Sequence, residues 1–220
     1  MLAKYLSFFF PINVVKKKSD LSKTLEVSWN NGQLVLDSKN TNYSFGSLQR
    51  ILRKGLKYIG FDRIRSFQSI LILGVAGGSV IETLVNEVKF KGQITGVEID
   101  PEILQIAQEY FNIGRYSNLQ LITDDAFEFV LKTKENYNLI IIDIFQDTKM
   151  PNFLFQDFFI QRINSLLHPD GFILFNTMVI SDKDRTRNLD YRNKFTENYS
   201  LRMYPKVEDH NELFTIKKLR

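Results

Sequence analysis

The 220-residue sequence lacks cysteine and has only two histidines. It also lacks any apolar run that approaches the roughly 20 residues of a membrane span. Without cysteine, disulfides, thiolate nucleophiles and zinc-thiolate sites are excluded. His168 and His210 stand far apart in the sequence, and we expect no metal. The formal net charge of +4, from 29 basic and 25 acidic residues, is too slight and too dispersed to indicate nucleic-acid binding.

The N-terminal segment MLAKYLSFFFPINVVKKKSD superficially resembles a secretory signal, because Lys4 precedes an apolar stretch. However, Pro11 interrupts the stretch, three lysines follow it at 16–18, and no small-residue cleavage site closes it. We therefore predict an ordered segment in a cytoplasmic protein that does not associate with membranes. The length and the 44% apolar content predict one principal domain with a small appendage.

The stretch TLEVSWNNGQLVLDSKN has apolar residues in alternation on both sides of Asn31-Gly32, which predicts a β-hairpin. A helix is predicted over 47–59, with one apolar face and several basic residues that we interpret as a solvated face. We place the boundary between an N-terminal hairpin region (1–45) and a C-terminal domain (46–220) near residue 45.

From Ser69 onward, apolar strands alternate with helices. The predicted strands are SILILG, QITGVEI, LQLIT, YNLIIIDIF and GFILFNTM, and helices are predicted over 79–88, 101–111, 125–132 and 152–167. Strands that are apolar on both faces and separated by helices predict an α/β fold with a mostly parallel sheet. The final segments YSLRMYP and ELFTIKKL predict an antiparallel pair at the end of that sheet.

In such a fold the ligand binds at the carboxyl ends of the strands. The first strand is followed by a glycine-rich loop, Gly74 to Ser79, that departs from the dinucleotide fingerprint at Ala76 and Ser79. These departures weaken a nicotinamide-nucleotide interpretation. The alternative is that the glycines only form a tight turn.

Acidic residues follow the next two strands. Glu98 lies 24 positions after Gly74, and its carboxylate suits the two hydroxyls of a ribose. Asp100 is either a ligand or the N-cap of the helix that begins at Pro101. Of Asp124 and Asp125, one is expected to cap a helix and the other to accept from an adenine amino group. Asp125, directly before Ala126, is the preferred adenine ligand.

The motifs LGVAGGS, VEIDPEILQIAQEYF, DDAFEF, YNLIIIDIF and LLHPDGFILFN together resemble the spermidine synthase-like group of the class I S-adenosylmethionine-dependent methyltransferase fold. The resemblance covers about residues 24 to 216. It implies a Rossmann-like, seven-stranded sheet and a donor that is S-adenosylmethionine or its decarboxylated form. It places Gly74 and Gly78 near the methionine part, Glu98 at the ribose and Asp125 at the adenine; Ala76 and Ala126 complete the expected donor site. A homodimer is expected from the resemblance alone.

The resemblance is poor where polyamine synthases carry out their chemistry. Those enzymes follow the N-terminal hairpin with a glutamine, an aspartate-glutamate pair and a tyrosine-histidine-glutamate run, whereas here no acid follows Asp37 in LDSKNTNYSFGSLQR. They also carry aspartate-serine/threonine-x-aspartate after the fourth strand. In DIFQDTKMP, Asp143 is retained, Ile144 replaces the hydroxyl residue and Asp147 comes one place late. Gly77 stands where those enzymes usually have aspartate.

These departures decide our ranking of functions. A diamine carries two ammonium groups, so its site needs several carboxylates and a base. Methyl transfer to a small acceptor depends mainly on positioning. We therefore rank a methyltransferase with an unidentified small-molecule acceptor above a polyamine aminopropyltransferase, and keep a non-catalytic nucleoside-binding or scaffold protein as a third hypothesis.

Asp143 ends the longest apolar strand, and we predict that it is catalytic: it orients or deprotonates the acceptor, or stabilises the positive charge nearby. The alternative is a helix or loop cap. For His168 and His210 we expect turn or loop roles instead of catalysis. Three phenylalanines at helical spacing (155, 158 and 159), with the adjacent Phe153, are predicted to be core or dimer contacts.

Overall fold

A computed structural model describes residues 2–38, 42–145, 149–208 and 210–219 of the chain. Within these ranges, the N-terminal part consists of a short helix and a four-stranded antiparallel sheet in sequential order. The elements are α1 (Leu2–Leu6), β1 (Ile12–Ser19), β2 (Lys23–Asn30), β3 (Gln33–Ser38) and β4 (Asn42–Ser44).

The second sheet has seven strands within the described ranges and begins after two helices, α2 (Gly46–Ile59) and α3 (Phe61–Arg65). Its strands are β5 (Ser69–Leu73), β6 (Gln93–Glu98), β7 (Leu119–Thr123), β8 (Tyr137–Ile142), β9 (Leu167–Met178), β10 (Tyr199–Tyr204) and β11 (Asn211–Lys218). The helices between them are α4 (Ser79–Glu82), α5 (Pro101–Phe111), α6 (Ala126–Lys132), α7 (Asp157–Ser165) and α8 (Asp182–Asn193). The strand order is β10-β11-β9-β8-β5-β6-β7.

The chain direction in this sheet confirms the predicted fold class. Strands β5 to β9 pair in parallel, and β11 is antiparallel to both β9 and β10. The central strands are apolar on both faces because helices cover both. Residues of α2, α4 and α5 pack on one face, and residues of α6, α7 and α8 pack on the other. The result is a Rossmann-like sheet that ends in the expected antiparallel pair.

The N-terminal hairpin is confirmed, including its turn. Asn31 and Gly32 both have positive φ, 48° and 77°, and the flanking residues Asn30 and Gln33 pair directly. Two left-handed residues between paired strands are the signature of a type I′ turn, which Asn-Gly favours. Buried side chains of β2 and β3 cluster with the α5 residues Ile103 and Ile106, so this sheet packs against α5, a helix that covers the larger sheet.

Several elements differ from the sequence predictions. Strands β1 and β4 and helix α8 were not predicted, and the stretch 79–88 is α4 followed by a π-helical turn, Thr83–Glu87. The predicted helix over 152–167 is instead a 3₁₀ turn, Asn152–Phe155, and then α7, because Gln156 is extended. The turn predicted at His168 lies inside β9. The domain boundary near residue 45 stays a prediction.

None of the helices in the described ranges is both long enough and apolar enough to cross a bilayer.

Candidate active site

A cavity of about 420 Å³ lies at the carboxyl ends of the parallel strands, where such folds bind ligands. It receives residues from every strand end between β5 and β9, from α2, and from the segments before β2 and β11. The lining residues are Leu21, Ser22, Ser47, Leu48, Ile51, Gly74, Ala76, Val97, Glu98, Ile99, Ile103, Asp124, Asp125, Ala126, Asp143, Ile144, Phe145, Pro151, Phe153, Asn176, Met178, Ile180, Glu208, His210 and Asn211.

The glycine-rich loop brings backbone close to the cavity at Gly74. Its φ is +90°, and a Cβ built there would lie 2.2 Å from the carbonyl oxygen of Asp143. A side chain at this position would therefore collide with the end of β8. Gly78 is also left-handed, with φ +84°, and immediately precedes α4. Gly74 and Ala76 line the cavity, whereas Gly78 is outside the set of residues that line it.

Glu98 joins the ends of β5 and β6. Its Oε2 accepts hydrogen bonds from the backbone N–H groups of Val75 and Ala76, at 3.1 and 3.0 Å, and its Oε1 accepts from the N–H of Asp100 at 3.2 Å. Burial raises the pKa of this carboxyl, and the backbone donors oppose that rise. A carboxylate has about four acceptor positions, so capacity for a ligand hydroxyl remains. The ribose role of Glu98 stays a prediction.

Asp100 is the N-cap of α5, as one of the two predicted alternatives states. Its Oδ1 accepts from the N–H of Glu102 at 3.0 Å. Its Oδ2 accepts from the hydroxyls of Ser19 and Ser22, at 2.5 and 2.7 Å. These bonds fasten the turn between β1 and β2 to the end of β6. The N-terminal sheet therefore supplies Leu21 and Ser22 to the cavity.

Asp124 and Asp125 both line the cavity after β7, together with Ala126. Asp125 caps α6: its Oδ1 accepts from the N–H groups of Phe127 and Glu128, at 2.7 and 3.3 Å. The Oδ1 of Asp124 accepts from the N–H of Asp125 at 2.9 Å. The sequence predicted that one of the two acids caps the helix and that Asp125 contacts the adenine. The helix cap uses only Oδ1 of Asp125, which leaves Oδ2 able to accept a hydrogen bond from an adenine. The adenine role of Asp125 stays a prediction.

Asp143 follows β8 directly and is partly buried at the centre of the strand ends. Its Oδ1 accepts from the Nδ2 of Asn176 at 2.9 Å. Burial raises the pKa of Asp143 to about 7; the bond from Asn176 opposes the rise, and the negative charge of Glu98 adds to it. A carboxyl with a pKa near neutrality can both accept and release a proton under physiological conditions.

The lining residues that the sequence analysis did not place at the site include four polar ones near the C-terminal strands: Asn176, Glu208, His210 and Asn211. Glu208 forms a bidentate pair with Arg50, with Oε1 to Nε and Oε2 to Nη2 both at 2.8 Å. Lys54 donates to the carbonyl oxygen of Val207 at 2.8 Å. Arg50 and Lys54 were predicted to belong to a solvated face of α2. They instead bind the segment before β11. Phe153, predicted to be a core or dimer contact, packs beside the core and also lines the cavity.

The charged side chains that line the cavity are acidic, although two of these acids are paired with bases outside the lining, Glu208 with Arg50 and Asp124 with Lys132. Among the lining residues that the structure describes there are five acids and no lysine or arginine; the acids are Glu98, Asp124, Asp125, Asp143 and Glu208. Asp147, which comes one position later than the second aspartate of the aminopropyltransferase motif, lies outside the described residues. Residues 39–41 lie outside them as well. In the part of the chain that the structure describes, no group of three metal-ligating side chains could hold a metal ion.

A model of the spermine/spermidine synthase domain matches residues 53–200 of the chain. The chain belongs to this family. A polyamine aminopropyltransferase from Vibrio vulnificus is 30% identical over 139 residues, which are 62% of this chain and 46% of that protein. The chain spans about half the length of the curated relatives it matches. The similarity therefore covers only part of those proteins.

Solved structures place the fold of this family member in the class I methyltransferase-like group. A probable spermidine synthase from Corynebacterium glutamicum aligns with a TM-score of 0.77 at 16% identity, covering 93% of this chain and 80% of that one. Human methyltransferase-like protein 13 in complex with SAH aligns with a TM-score of 0.65 at 19% identity, covering 80% of this chain and 83% of that one. At these identities the likeness concerns the fold, which confirms the predicted architecture.

Proposed function

We propose that the chain is an aminopropyltransferase that uses decarboxylated S-adenosylmethionine and a small amine acceptor. The observation that carries the proposal is the charge of the cavity, five acids with no lysine or arginine among the described lining residues. Membership of the spermine/spermidine synthase domain family and the similarity to aminopropyltransferases support the same conclusion. Together they favour aminopropyl transfer over the methyl transfer that the sequence analysis ranked first.

The residues present fit an adenosyl-sulfonium donor. Ribose hydroxyls and the adenine amino group are hydrogen-bond donors, and carboxylate oxygens of Glu98, Asp124 and Asp125 line the cavity as acceptors. The sulfonium is cationic and suits an acidic cavity. A donor that keeps its carboxylate would bring a further negative charge among these acids, and no lysine or arginine is among the described residues that line the cavity. Removal of the carboxylate removes that repulsion.

When bound, the donor would supply an electrophilic carbon to the neutral form of the acceptor amine. The carbon–sulfur bond would break as the carbon–nitrogen bond forms, the neutral thioether would leave, and the nitrogen, now an ammonium, would lose a proton. In this proposal Asp143 receives that proton at Oδ2, since its Oδ1 is occupied by Asn176. The raised pKa of about 7 matches the task, because the ionised form is still populated at neutral pH and the proton is held well once transferred. Glu98 keeps the glycine-rich loop in place through its bonds to Val75 and Ala76.

Methyl transfer from S-adenosylmethionine remains a second candidate because of one specific residue. Ile144 lines the cavity directly after Asp143, at the position where aminopropyltransferases are expected to carry a hydroxyl residue. An aliphatic side chain there reduces the polar capacity available for a diamine. An acceptor with a single nucleophile needs less of that capacity.

Calorimetry and a product assay together test the proposal. We expect decarboxylated S-adenosylmethionine to bind at least about tenfold more tightly than S-adenosylmethionine, since like charges placed together cost free energy. Incubation with putrescine should then yield an aminopropylated product, identified by mass. Tighter binding of S-adenosylmethionine together with a methylated acceptor would replace the proposal by the second candidate.

The Asp143→Asn variant tests the catalytic role separately. It keeps the shape of the side chain and removes the charge. We expect transfer to slow by roughly 10²-fold or more while the nucleoside part still binds. Asp190→Asn, at an exposed position of α8, is the matched control and should keep full activity. Full activity of Asp143→Asn would remove Asp143 from the reaction.

A further inference from the structure

Two amide side chains, the buried Asn176 and the partly buried Asn211, form a hydrogen-bonded chain that ends at Asp143. The Nδ2 of Asn211 donates to the Oδ1 of Asn176 at 3.0 Å, and the Nδ2 of Asn176 donates to the Oδ1 of Asp143 at 2.9 Å. Asn176 has no exposed surface. Buried polar side chains are nearly always hydrogen-bonded. The partners of Asn176 are the cavity residues Asp143 and Asn211.

The sheet fixes the positions of all three residues. Strands β8 and β9 pair in parallel with Ile142 opposite Phe175, so Asp143 and Asn176 follow as neighbours at the ends of adjacent strands. Asn211 begins β11, on the other side of β9, where Leu213 pairs with Asn176. The backbone of Asn211 is held as well, since it accepts from the N–H of Val207 at 2.9 Å and donates to the carbonyl of Glu208 at 2.8 Å.

An amide side chain has a donor end and an acceptor end, so a partner on one end decides what the other end presents. The oxygen of Asn176 is occupied by the N–H of Asn211, and its NH₂ group is therefore directed at Asp143. An N–H donor stabilises the ionised carboxylate more than it stabilises the neutral acid, because the acceptor oxygen carries more negative charge in the ionised form. In a cavity with four other acids, this contact opposes the repulsion that favours the neutral form.

We propose that Asn176, oriented by Asn211, is a positioning residue that holds Asp143 in its ionised, proton-accepting form beside the acceptor. The reaction that Asp143 serves rests on the proposed function; the ionisation of Asp143 does not. The other titratable groups that share the cavity with Asp143 are Glu98, Asp124, Asp125, Glu208 and His210. Replacing Asn176 changes none of these groups, and a control variant at a second buried asparagine accounts for indirect effects.

The decisive measurement is a ¹³C NMR titration of the Asp143 carboxyl in the ligand-free protein. In Asn176→Leu, which is close in size but cannot donate, we expect the pKa of Asp143 to rise clearly above its wild-type value of about 7, because the ionised form loses a hydrogen bond. Asn188→Leu is the matched control. Asn188 is equally buried, but its amide N–H groups bond to Thr177 and Glu212, so its loss should leave the titration of Asp143 unchanged.

Asn211→Leu provides a second test if Asn176→Leu fails to fold. Without its partner, Asn176 is free to turn its oxygen toward Asp143 and accept from the neutral acid, so the pKa of Asp143 should again rise. An unchanged Asp143 titration in the folded Asn176→Leu protein, or in Asn211→Leu where the former does not fold, would overturn the proposal.

Kinetics add a readout that a purely structural role would not move. In Asn176→Leu we expect kcat to fall at neutral pH and the acidic limb of its pH profile to move to higher pH. In the Asp143→Asn background the same substitution should have no further effect on kcat, because its target is gone. A wild-type protein without transfer activity would refute the proposed function, whereas the NMR titration would still decide the role of Asn176.

Discussion

Replacing Asp143 by Asn should make the protein more stable at alkaline pH. Burial raises the pKa of Asp143 from the usual 3.8 to about 7 in the folded protein. An acid with a raised folded pKa binds its proton more tightly when folded, so the free energy of unfolding falls as the pH rises from about 4 to about 7. The penalty is absent below this window and fully present above it.

The magnitude follows from the gap between the two pKa values. At 1.36 kcal/mol per unit, a gap of about 3 units corresponds to roughly 4 kcal/mol. Water reaches the partly exposed carboxyl, so we expect Asp143→Asn to gain about 2 to 4 kcal/mol at pH 8. At pH 5, where the folded wild type is mostly protonated, the gain should fall below about 2 kcal/mol. The amide oxygen that this substitution introduces can still accept the bond from Asn176.

Urea unfolding of both proteins at pH 5 and pH 8 provides the assay, with Asp190→Asn as the surface control, expected within about 0.5 kcal/mol of wild type at both pH values. A difference between Asp143→Asn and wild type that is the same at the two pH values would refute the assigned ionisation. A loss of stability at pH 8 would refute it as well. The expected outcome, a more stable but slower protein, is typical of a residue kept for catalysis.

Three further predictions concern the same site. Binding of a cationic adenosyl-sulfonium donor should lower the pKa of Asp143 and release up to about half a proton at pH 7, because the carboxyl is about half protonated there. Calorimetry in buffers of different ionisation enthalpy measures this release, and no buffer dependence would contradict the prediction. Glu98→Gln should weaken donor binding by roughly 1 to 3 kcal/mol, and an unchanged dissociation constant would remove Glu98 from the donor site. Gly74→Ala should destabilise the fold by about 1 to 3 kcal/mol more than Gly60→Ala, since both have positive φ but a Cβ collides with neighbouring atoms only at Gly74. If urea unfolding gave equal losses of stability for Gly74→Ala and Gly60→Ala, the collision at Gly74 would be shown to be relieved.

Local patterns in the sequence determine much of this fold. The alternation around Asn31-Gly32 specifies the hairpin, and both turn residues have the left-handed φ that Asn and Gly tolerate. The apolar segments from β5 to β9 have helices between them, which is enough to predict a parallel sheet and the edge at which ligands bind. That reasoning singled out Glu98, Asp125 and Asp143, which stand at a strand end or within two residues of one, and all three line the cavity.

Helix α8 shows where the local patterns fail. Its residues are almost entirely polar, so it has no apolar stripe for periodicity to detect. A readable signal was present in its capping box, in which Ser181 and Asp184 bond reciprocally to each other's backbone N–H groups. Strand β1 was missed for a different reason. The three consecutive lysines of β1, at 16–18, interrupt the apolar alternation that predicts a strand. Among the described residues, β1 is defined by its hydrogen bonds to β2, which cannot be read from its own sequence.

The tertiary structure alone decided which distant residues complete the site. Strand β11 inserts between β9 and β10, and this brings Glu208, His210 and Asn211 to a cavity whose other residues lie far earlier in the chain. The same insertion sets Asn211 against Asn176, and the pairing of β8 with β9 sets Asn176 against Asp143. Periodicity and turn chemistry report how a residue relates to its near neighbours in sequence. Contacts between residues 33 or more positions apart depend on strand order and burial, which arise only when the whole sheet has assembled.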